Sequence, residues 1–183
     1  MMLKKGYIVA ELPKSISDKV YQLRKRYDSV TAKLPVEITL AGSSGVGPII
    51  EAKQINIATR VLEEVAKKIT PFEGKFSKMA RFPNTDIFYL ELENRLPFES
   101  IHNQFKKSEI EFTSNPFEYA PHCTIRAVGP ISEADERNIW TEFVPVEPFL
   151  ISTLSVYELI IDSGNKLVSC DLVHSTDLVA VES

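Results

Sequence analysis

The sequence contains one short strand pattern twice, and this duplication constrains the fold more than any other feature. The second copy, at positions 121–128, reads Pro-His-Cys-Thr-Ile-Arg-Ala-Val. The first copy, at positions 35–42, reads Pro-Val-Glu-Ile-Thr-Leu-Ala-Gly. In each copy a titratable residue stands two positions before a threonine, and an aliphatic residue follows that threonine. The pattern predicts two related halves of the molecule, each of which contributes one strand of this kind.

The polar residues of each copy are expected on a single strand face, because side chains alternate between the two faces of a β-strand. This rule places His122, Thr124 and Arg126 together, while the alternate residues face the core. It also places Glu37 beside Thr39 in the first copy. An imidazole, a hydroxyl and a guanidinium on one face are groups that bind an oxyanion such as phosphate. The second copy therefore predicts an anion site.

Hydrophobic periodicity and turn residues predict an α+β protein. The predicted strands are 6–12, 36–42, 74–81, 86–93, 121–128, 152–161 and 166–173, and the predicted helices are 15–27, 54–69, 97–107 and a short helix that starts at Ser132. No linker separates the halves, so residues 1–176 are predicted to form one domain of two pseudo-symmetric lobes, followed by a tail at 177–183. The loop at 43–48 contains two glycines but lacks the Gly-Lys-Ser/Thr ending of a P-loop, and we expect a flexible connection.

Composition excludes several classes of protein. The net charge of −4 argues against a broad nonspecific nucleic-acid surface, which is strongly basic. No apolar run is long enough for a membrane span. Cys123 and Cys170 lack the Cys-x-x-Cys spacing, so no disulfide is expected and a cytoplasmic location is the default expectation.

The two strand patterns and the order of elements resemble the two-histidine (2H) phosphoesterase superfamily, which includes 2′-5′ RNA ligase-like proteins and cyclic phosphodiesterases. The resemblance covers roughly residues 5–173. It implies a bilobal, duplicated α+β fold in which antiparallel sheets flank a central cleft and helices lie outside. In this family two His-x-Thr motifs face each other across the cleft. One imidazole removes a proton from the nucleophile, the other protonates the leaving oxygen, and the threonine hydroxyls bind phosphate oxygens.

Carried over to this chain, the resemblance assigns general acid or base chemistry to His122 and phosphate binding to Thr39 and Thr124. Arg126 is added as a phosphate contact from strand alternation alone. The departure is Glu37, where the family has its first histidine. A carboxylate, with a pKa of about 4, is a weaker base than an imidazole, with a pKa of about 6.5, and it repels phosphate.

Three outcomes are open for Glu37. Burial raises its pKa so that it acts as a neutral acid. Alternatively, it pairs with His122 across the cleft and keeps that ring charged. In the third outcome, catalysis has been lost.

The implied function is phosphoester chemistry on a 2′,3′-cyclic phosphate or a 2′-5′-linked RNA end, weakened by the missing histidine. No cofactor and no metal are expected. The expected partner is an RNA end or nucleotide; the protein is expected to be a monomer and not to bind a membrane. An alternative is a catalytically inactive nucleotide- or anion-binding module on the same fold. A metal site formed by His122 and Glu37 is a third candidate, although it lacks further ligands at recognisable spacing.

Four other residues have simpler expectations. His102, on a polar stretch of the third helix, and His174, near the C-terminus, are expected at the surface. Phe88 and Tyr89 either stack on a nucleobase or, as is usual for aromatic strand residues, belong to the core.

Overall fold

The computed structural model describes residues 2–164 and 166–179. Within these residues the elements in chain order are β1 (Leu3–Glu11), α1 (Lys14–Tyr27), a 3₁₀ turn (Thr31–Lys33), β2 (Glu37–Ala41), α2 (Ala52–Ala66), β3 (Phe72–Gly74), β4 (Phe76–Arg81), β5 (Phe88–Leu92), α3 (Leu96–Lys106), β6 (His122–Arg126), α4 (Glu133–Ile139), β7 (Phe149–Ile151), β8 (Thr153–Ile161) and β9 (Leu167–Asp177). The predicted α+β class is confirmed. The short strands β3 and β7 form a small pair that supplements the predicted set.

The strands form antiparallel sheets that meet at the two repeated motifs. One sheet has the order β2-β1-β8-β9 and so combines strands from both ends of the chain. A second has the order β4-β5-β6. The motif strands β2 and β6 each lie at the edge of their own sheet, and they contact each other. The two copies of the pattern therefore meet at the junction between the lobes.

Amphipathic helices cover the outer faces of the sheets. Val20 and Leu23 of α1 are buried, and α1 packs on β6. Val61 and Leu62 of α2 are buried, and α2 packs on β8 and β9. Full burial of such a side chain stabilises a fold by about 1.5–3 kcal/mol. The helices thus cover one face of each sheet and leave the other free for the cleft. No helix in the described part of the chain is long and apolar enough to cross a membrane.

The loop at 43–48 is not the flexible connection that its glycines suggested. Gly45 N donates to Phe117 O at 2.8 Å, and Gly47 N donates to Thr113 O at 2.8 Å. Gly45 has a φ of +72°, and a Cβ there would collide with His102 Nε2. Glycine is therefore required at this position by both backbone conformation and space. The loop is hydrogen-bonded along its length to the segment that leads into β6.

Both remaining histidines lie deeper than expected. His102 is 2% exposed, because its face of α3 packs on β2. His174 is half-buried on β9, which continues to Asp177, and its Nε2 lies 3.1 Å from a Glu63 carboxylate oxygen. The prediction of a surface position is wrong for His102, whereas the His174 side chain, which is 31% exposed, lies partly at the surface. Of the predicted tail at 177–183, residues 180–183 lie outside the described residues, as does residue 165 of the β8–β9 turn.

Candidate functional site

A cavity of about 350 Å³ lies between the cleft face of the four-stranded sheet and the elements that pack against it. Its lining residues are Tyr7, Val9, Arg24, Thr31, Leu34, Pro35, Glu37, Thr39, Ser43, Thr124, Ala127, Tyr157, Leu159 and Cys170. Glu37, Thr39 and Thr124 are thus brought to one cavity, as the duplicated pattern predicted. His122 and Arg126 do not line it.

Arg126 is separated from the other predicted site residues by a β-bulge. Thr124 pairs with Tyr89, but Arg126 pairs with Phe88, so one residue of β5 is opposed by two residues of β6. Because Phe88 and Tyr89 point to opposite faces, Arg126 lies on the core face, where it is 4% exposed. Its guanidinium donates to the carbonyls of Asp86, Val128, Gly129 and Pro130. This placement contradicts the phosphate contact predicted from strict alternation.

His122 is held in one tautomer. Its Nδ1 lies 2.6 Å from Ala120 O, and since a carbonyl only accepts, Nδ1 carries the hydrogen of the neutral ring. Nε2 is then left with its lone pair. Burial lowers the pKa of His122, against the opposing effect of the Ala120 hydrogen bond. The imidazole therefore favours the neutral state. Because side chains alternate along β6, His122 lies on the same face as Thr124 and two residues before it.

Two aromatic rings fix the position of this imidazole. Phe82 and Tyr89 stack at 4.3 Å, and the His122 ring meets them edge-on at 5.0 and 5.1 Å. Tyr89 is half-buried, whereas Phe88 is completely buried in the core. Of the two aromatic strand residues, Phe88 belongs to the core and Tyr89 borders the imidazole.

Glu37 is a carboxyl group with an unusually high pKa. Its two oxygens accept from Thr39 Oγ1 at 3.0 and 3.2 Å. Burial raises the pKa from its ordinary value of 4.5 to about 7; Arg24 and the Thr39 hydrogen bond oppose the rise, and Glu11 on the neighbouring strand adds to it. The neutral-acid outcome is therefore the one that this geometry favours. No hydrogen bond or ion pair among the described residues joins Glu37 to His122, so the cross-cleft pair is not formed.

Arg24 is a site residue that the sequence did not reveal. It is 1% exposed, and its Nε donates to Thr124 O at 2.8 Å. Its Nη1 donates to Leu34 O at 3.1 Å and to Pro35 O at 2.8 Å. One side chain on α1 therefore joins the backbone before β2 to the backbone of β6. The only sequence signal was an arginine four residues after Val20, in line with the apolar stripe of the helix.

Asp28 fixes the same junction from the end of α1. Its Oδ2 accepts from the backbone N–H groups of Ala127 and Val128 at 2.9 Å, and its Oδ1 accepts from Thr31 N at 2.9 Å. Burial acts to raise the pKa of Asp28, but these hydrogen bonds outweigh it and the pKa is lowered. A buried carboxylate thus anchors the end of β6 to the end of α1.

The segment before β6 supports the motif strand of the other lobe. Tyr119 Oη donates to Thr39 O at 3.0 Å, and the Tyr119 ring stacks on His102 at 3.8 Å. His102 Nδ1 in turn donates to Leu40 O at 2.7 Å. Burial raises the pKa of the Tyr119 phenol and lowers that of His102, so both groups stay neutral donors. They hold the backbone that carries Thr39.

The same segment orients His122. Ala120 N donates to the hydroxyl of Ser44 at 3.2 Å, and Ala120 O receives the hydrogen of His122 Nδ1. Ser44 is buried on the loop that follows β2. A chain of two hydrogen bonds thus connects the loop after the first motif to the imidazole of the second.

The far wall of the cavity is weakly polar. It consists of Tyr7 on β1, Tyr157 and Leu159 on β8, and Cys170 on β9. Burial raises the pKa of Tyr7 to about 12 and that of Cys170 to about 11, so neither carries a charge near neutral pH. Tyr157 Oη donates to a Glu11 carboxylate oxygen at 2.9 Å. This uncharged wall is one source of the desolvation that raises the Glu37 pKa.

Sequence comparison relates the chain to phosphoesterases. Residues 12–159 match the model of the family described as the 2′-5′ RNA ligase superfamily. A Geobacillus kaustophilus protein named "Putative phosphoesterase" is 32% identical over 125 residues, which cover 67% of this chain and 68% of the relative. A Bacillus cytotoxicus protein with the same description is 28% identical over 170 residues, 89% of this chain and 90% of the relative.

Solved structures share the fold at low sequence identity. Escherichia coli LigT complexed with 3′-AMP has a TM-score of 0.64 at 14% identity, over 97% of this chain and 99% of that chain. TT0787 of Thermus thermophilus has a TM-score of 0.65 at 10% identity, over 95% and 97% of the two chains. These likenesses confirm the predicted bilobal α+β fold.

Proposed function

The chain belongs to the 2′-5′ RNA ligase superfamily, and we propose that it carries out phosphoester chemistry on a 2′,3′-cyclic phosphate or a 2′-5′-linked RNA end. The observation that carries this proposal is the shared cavity, to which the two lobes bring Glu37, Thr39 and Thr124 and in which burial raises the pKa of Glu37 to about 7. A carboxyl group that keeps its proton near neutral pH supplies the general acid that the missing first histidine would have provided. The protein would then work with one imidazole and one carboxylic acid.

In the proposed hydrolysis, His122 is the base and Glu37 is the acid. The Nε2 lone pair of His122 takes a proton from water as the water oxygen bonds to phosphorus. Glu37 gives its proton to the ribose oxygen as the bond from that oxygen to phosphorus breaks. The proton then returns from His122 to Glu37 through solvent. Both groups begin in the required state, because burial favours the neutral form of each.

The two threonine hydroxyls would bind the phosphate oxygens between these groups. Thr39 and Thr124 line the same cavity and come from the two lobes. A neutral Glu37 also removes a repulsion, since two unit charges about 4 Å apart cost roughly 1 kcal/mol in water and about 4 kcal/mol at an effective dielectric of 20. Structures of Escherichia coli LigT with 3′-AMP, ATP and phosphate support a phosphorylated nucleotide as the ligand class.

A second candidate function is an inactive nucleotide- or anion-binding module. It is favoured by the absence of His122 from the cavity lining that contains Glu37 and both threonines. Binding in the cavity would then occur without a base at the reacting water.

Hydrolysis of a nucleoside 2′,3′-cyclic phosphate, with and without chelator, tests the proposal. We expect turnover that chelator does not change, and a loss of about 10²–10⁴-fold in both Glu37→Gln and His122→Gln. His174→Gln is the matched control, because this ring lies on β9 against Glu63 and outside the cavity lining. Nucleotide binding without turnover would favour the inactive module, and chelator-sensitive turnover would favour a metal site.

A further inference from the structure

Arg24 is a buried cation whose hydrogen-bond acceptors in the described part of the chain are all neutral carbonyls. No carboxylate there lies within ion-pair distance of its guanidinium. A buried charge without a counter-ion is costly, and such groups are normally paired. The position of Arg24 therefore needs an explanation beyond its support of the backbone.

One nitrogen of the guanidinium remains for a ligand. Nε bonds Thr124 O, and Nη1 bonds the carbonyls of Leu34 and Pro35. No carbonyl or carboxylate of the described residues accepts a hydrogen bond from Nη2, and the guanidinium also contacts the neutral thiol of Cys123. Arg24 lines the cavity, and Nη2 is the guanidinium nitrogen that the carbonyl bonds leave free for a ligand.

We propose that Arg24 is an anion-binding residue of this cavity, which contacts a phosphate oxygen through Nη2 beside the hydroxyls of Thr39 and Thr124. The identity of the anion as phosphate rests on the proposed function. The carbonyl bonds of Arg24 hold its planar group at the junction of the two motif strands, so the cation is positioned before the ligand arrives. Guanidinium is well suited to phosphate in both charge and hydrogen-bond geometry.

The electrostatics of Glu37 agree with this role. Arg24 acts to lower the pKa of Glu37, but burial outweighs it. Below about pH 7 the Glu37 carboxyl is therefore mostly neutral and does not neutralise Arg24. The other titratable groups that influence or line this region are Glu11, Tyr7, Tyr157, Cys170, Tyr119, the neutral thiol of Cys123 and the Asp28 carboxylate, which is bonded to backbone N–H groups and to Thr31. A phosphate would supply the negative charge that the guanidinium lacks.

Arg126 provides a matched comparison. It is also an arginine, it is 4% exposed, and it donates to backbone carbonyls. It lies on the opposite face of β6, outside the cavity lining, and its Nη1 and Nη2 both have acceptors. Lysine at either position keeps the charge and removes the planar fork, so the two variants differ mainly in access to the cavity.

The test is titration of the whole chain with inorganic phosphate at pH 6.5, by calorimetry and by NMR of the arginine side-chain N–H signals. Arg24→Lys should weaken phosphate binding at least tenfold, whereas Arg126→Lys should change it less than twofold, with thermal unfolding as the check that each variant is folded. In the wild-type protein, the Arg24 N–H signals should shift on saturation. At pH 8, Glu37→Gln should bind phosphate at least fivefold more tightly than the wild type, because a carboxylate beside Arg24 is removed.

Equal phosphate affinity in folded Arg24→Lys and wild type would overturn the inference and leave Arg24 a purely structural support. Absence of phosphate binding by the wild type at millimolar concentrations would overturn it as well. If Arg24→Lys does not fold, the wild-type arginine signals decide: a shift on titration supports the inference, and unchanged signals overturn it. Phosphate binding through Arg24 without turnover of a cyclic phosphate would instead refute the proposed function alone.

Discussion

Glu37 should make the protein less stable as the pH rises toward neutrality, and Glu37→Gln should remove this dependence. The pKa of Glu37 is raised from 4.5 to about 7 in the folded protein, chiefly by burial. The folded state therefore binds more protons than the unfolded state between these values, and stability falls with rising pH in that window. One pKa unit is worth about 1.4 kcal/mol, so the loss is about 3 kcal/mol in total, complete above pH 7.

Urea unfolding from pH 4 to pH 8.5 measures this effect as the difference in unfolding free energy between wild type and Glu37→Gln. Most other titrating groups contribute equally to both proteins and cancel. Glu147→Gln is the control, because the hydrogen bond from Lys19 lowers the pKa of Glu147, and its contribution is lost only at acid pH. A wild-type minus Glu37→Gln difference that stays constant from pH 4.5 to pH 7.5 would show that Glu37 titrates normally, and the neutral-acid mechanism would fail.

Three further predictions concern activity. The rate of cyclic phosphate hydrolysis should follow a bell-shaped pH profile. The rate should fall on the acid side below pH 6.5 as His122 is protonated, and on the alkaline side near pH 7 as Glu37 loses its proton. A plateau that extends to pH 9 would contradict this prediction. Glu37→His should give no gain in rate at pH 8, because the surroundings that raise the Glu37 pKa would lower that of an imidazole and leave it without the proton that the leaving oxygen requires. A gain of tenfold or more that His122→Ala then removes would contradict this. Ser44→Ala removes the acceptor of Ala120 N and should lower kcat about five- to tenfold with little change in KM. The reason is that loss of one hydrogen bond, worth about 1 kcal/mol, loosens the Ala120 carbonyl that orients His122. A kcat within error of the wild type would refute this prediction.

Local pattern was sufficient to predict the motif strands and the lining role of Thr39 and Thr124, because alternation is a property of each strand by itself. It failed at Arg126, since a β-bulge depends on the partner strand and reverses the face of a single residue. Arg24 could not be identified for a related reason. The carbonyls that accept hydrogen bonds from Arg24 belong to two other segments of the chain, and an arginine in an apolar helical stripe does not reveal them.

His102 illustrates the limit of composition as a guide to burial. It lies four residues after Phe98 and three before Phe105, both buried, so its phase on α3 directs it toward β2, where the imidazole bonds Leu40 O and stacks on Tyr119. The pairing of loop 43–48 with the segment before β6 joins residues far apart in sequence, such as Gly45 with Phe117. Such pairings arise from the tertiary fold, and a loop's own residues do not specify them.

The replacement of a histidine by Glu37 is compatible with acid–base chemistry because of the cavity around it. A glutamate in water has a pKa near 4 and is almost entirely ionised at neutral pH. The uncharged wall formed by Leu159, Cys170 and the tyrosines, together with Glu11, moves the Glu37 pKa to about 7 despite Arg24. At pH 6.5 roughly three quarters of the molecules would then carry the proton that a leaving oxygen requires. The same apolar surroundings would make a charged imidazolium at position 37 costly, so the residue at this position and the polarity of its wall are matched.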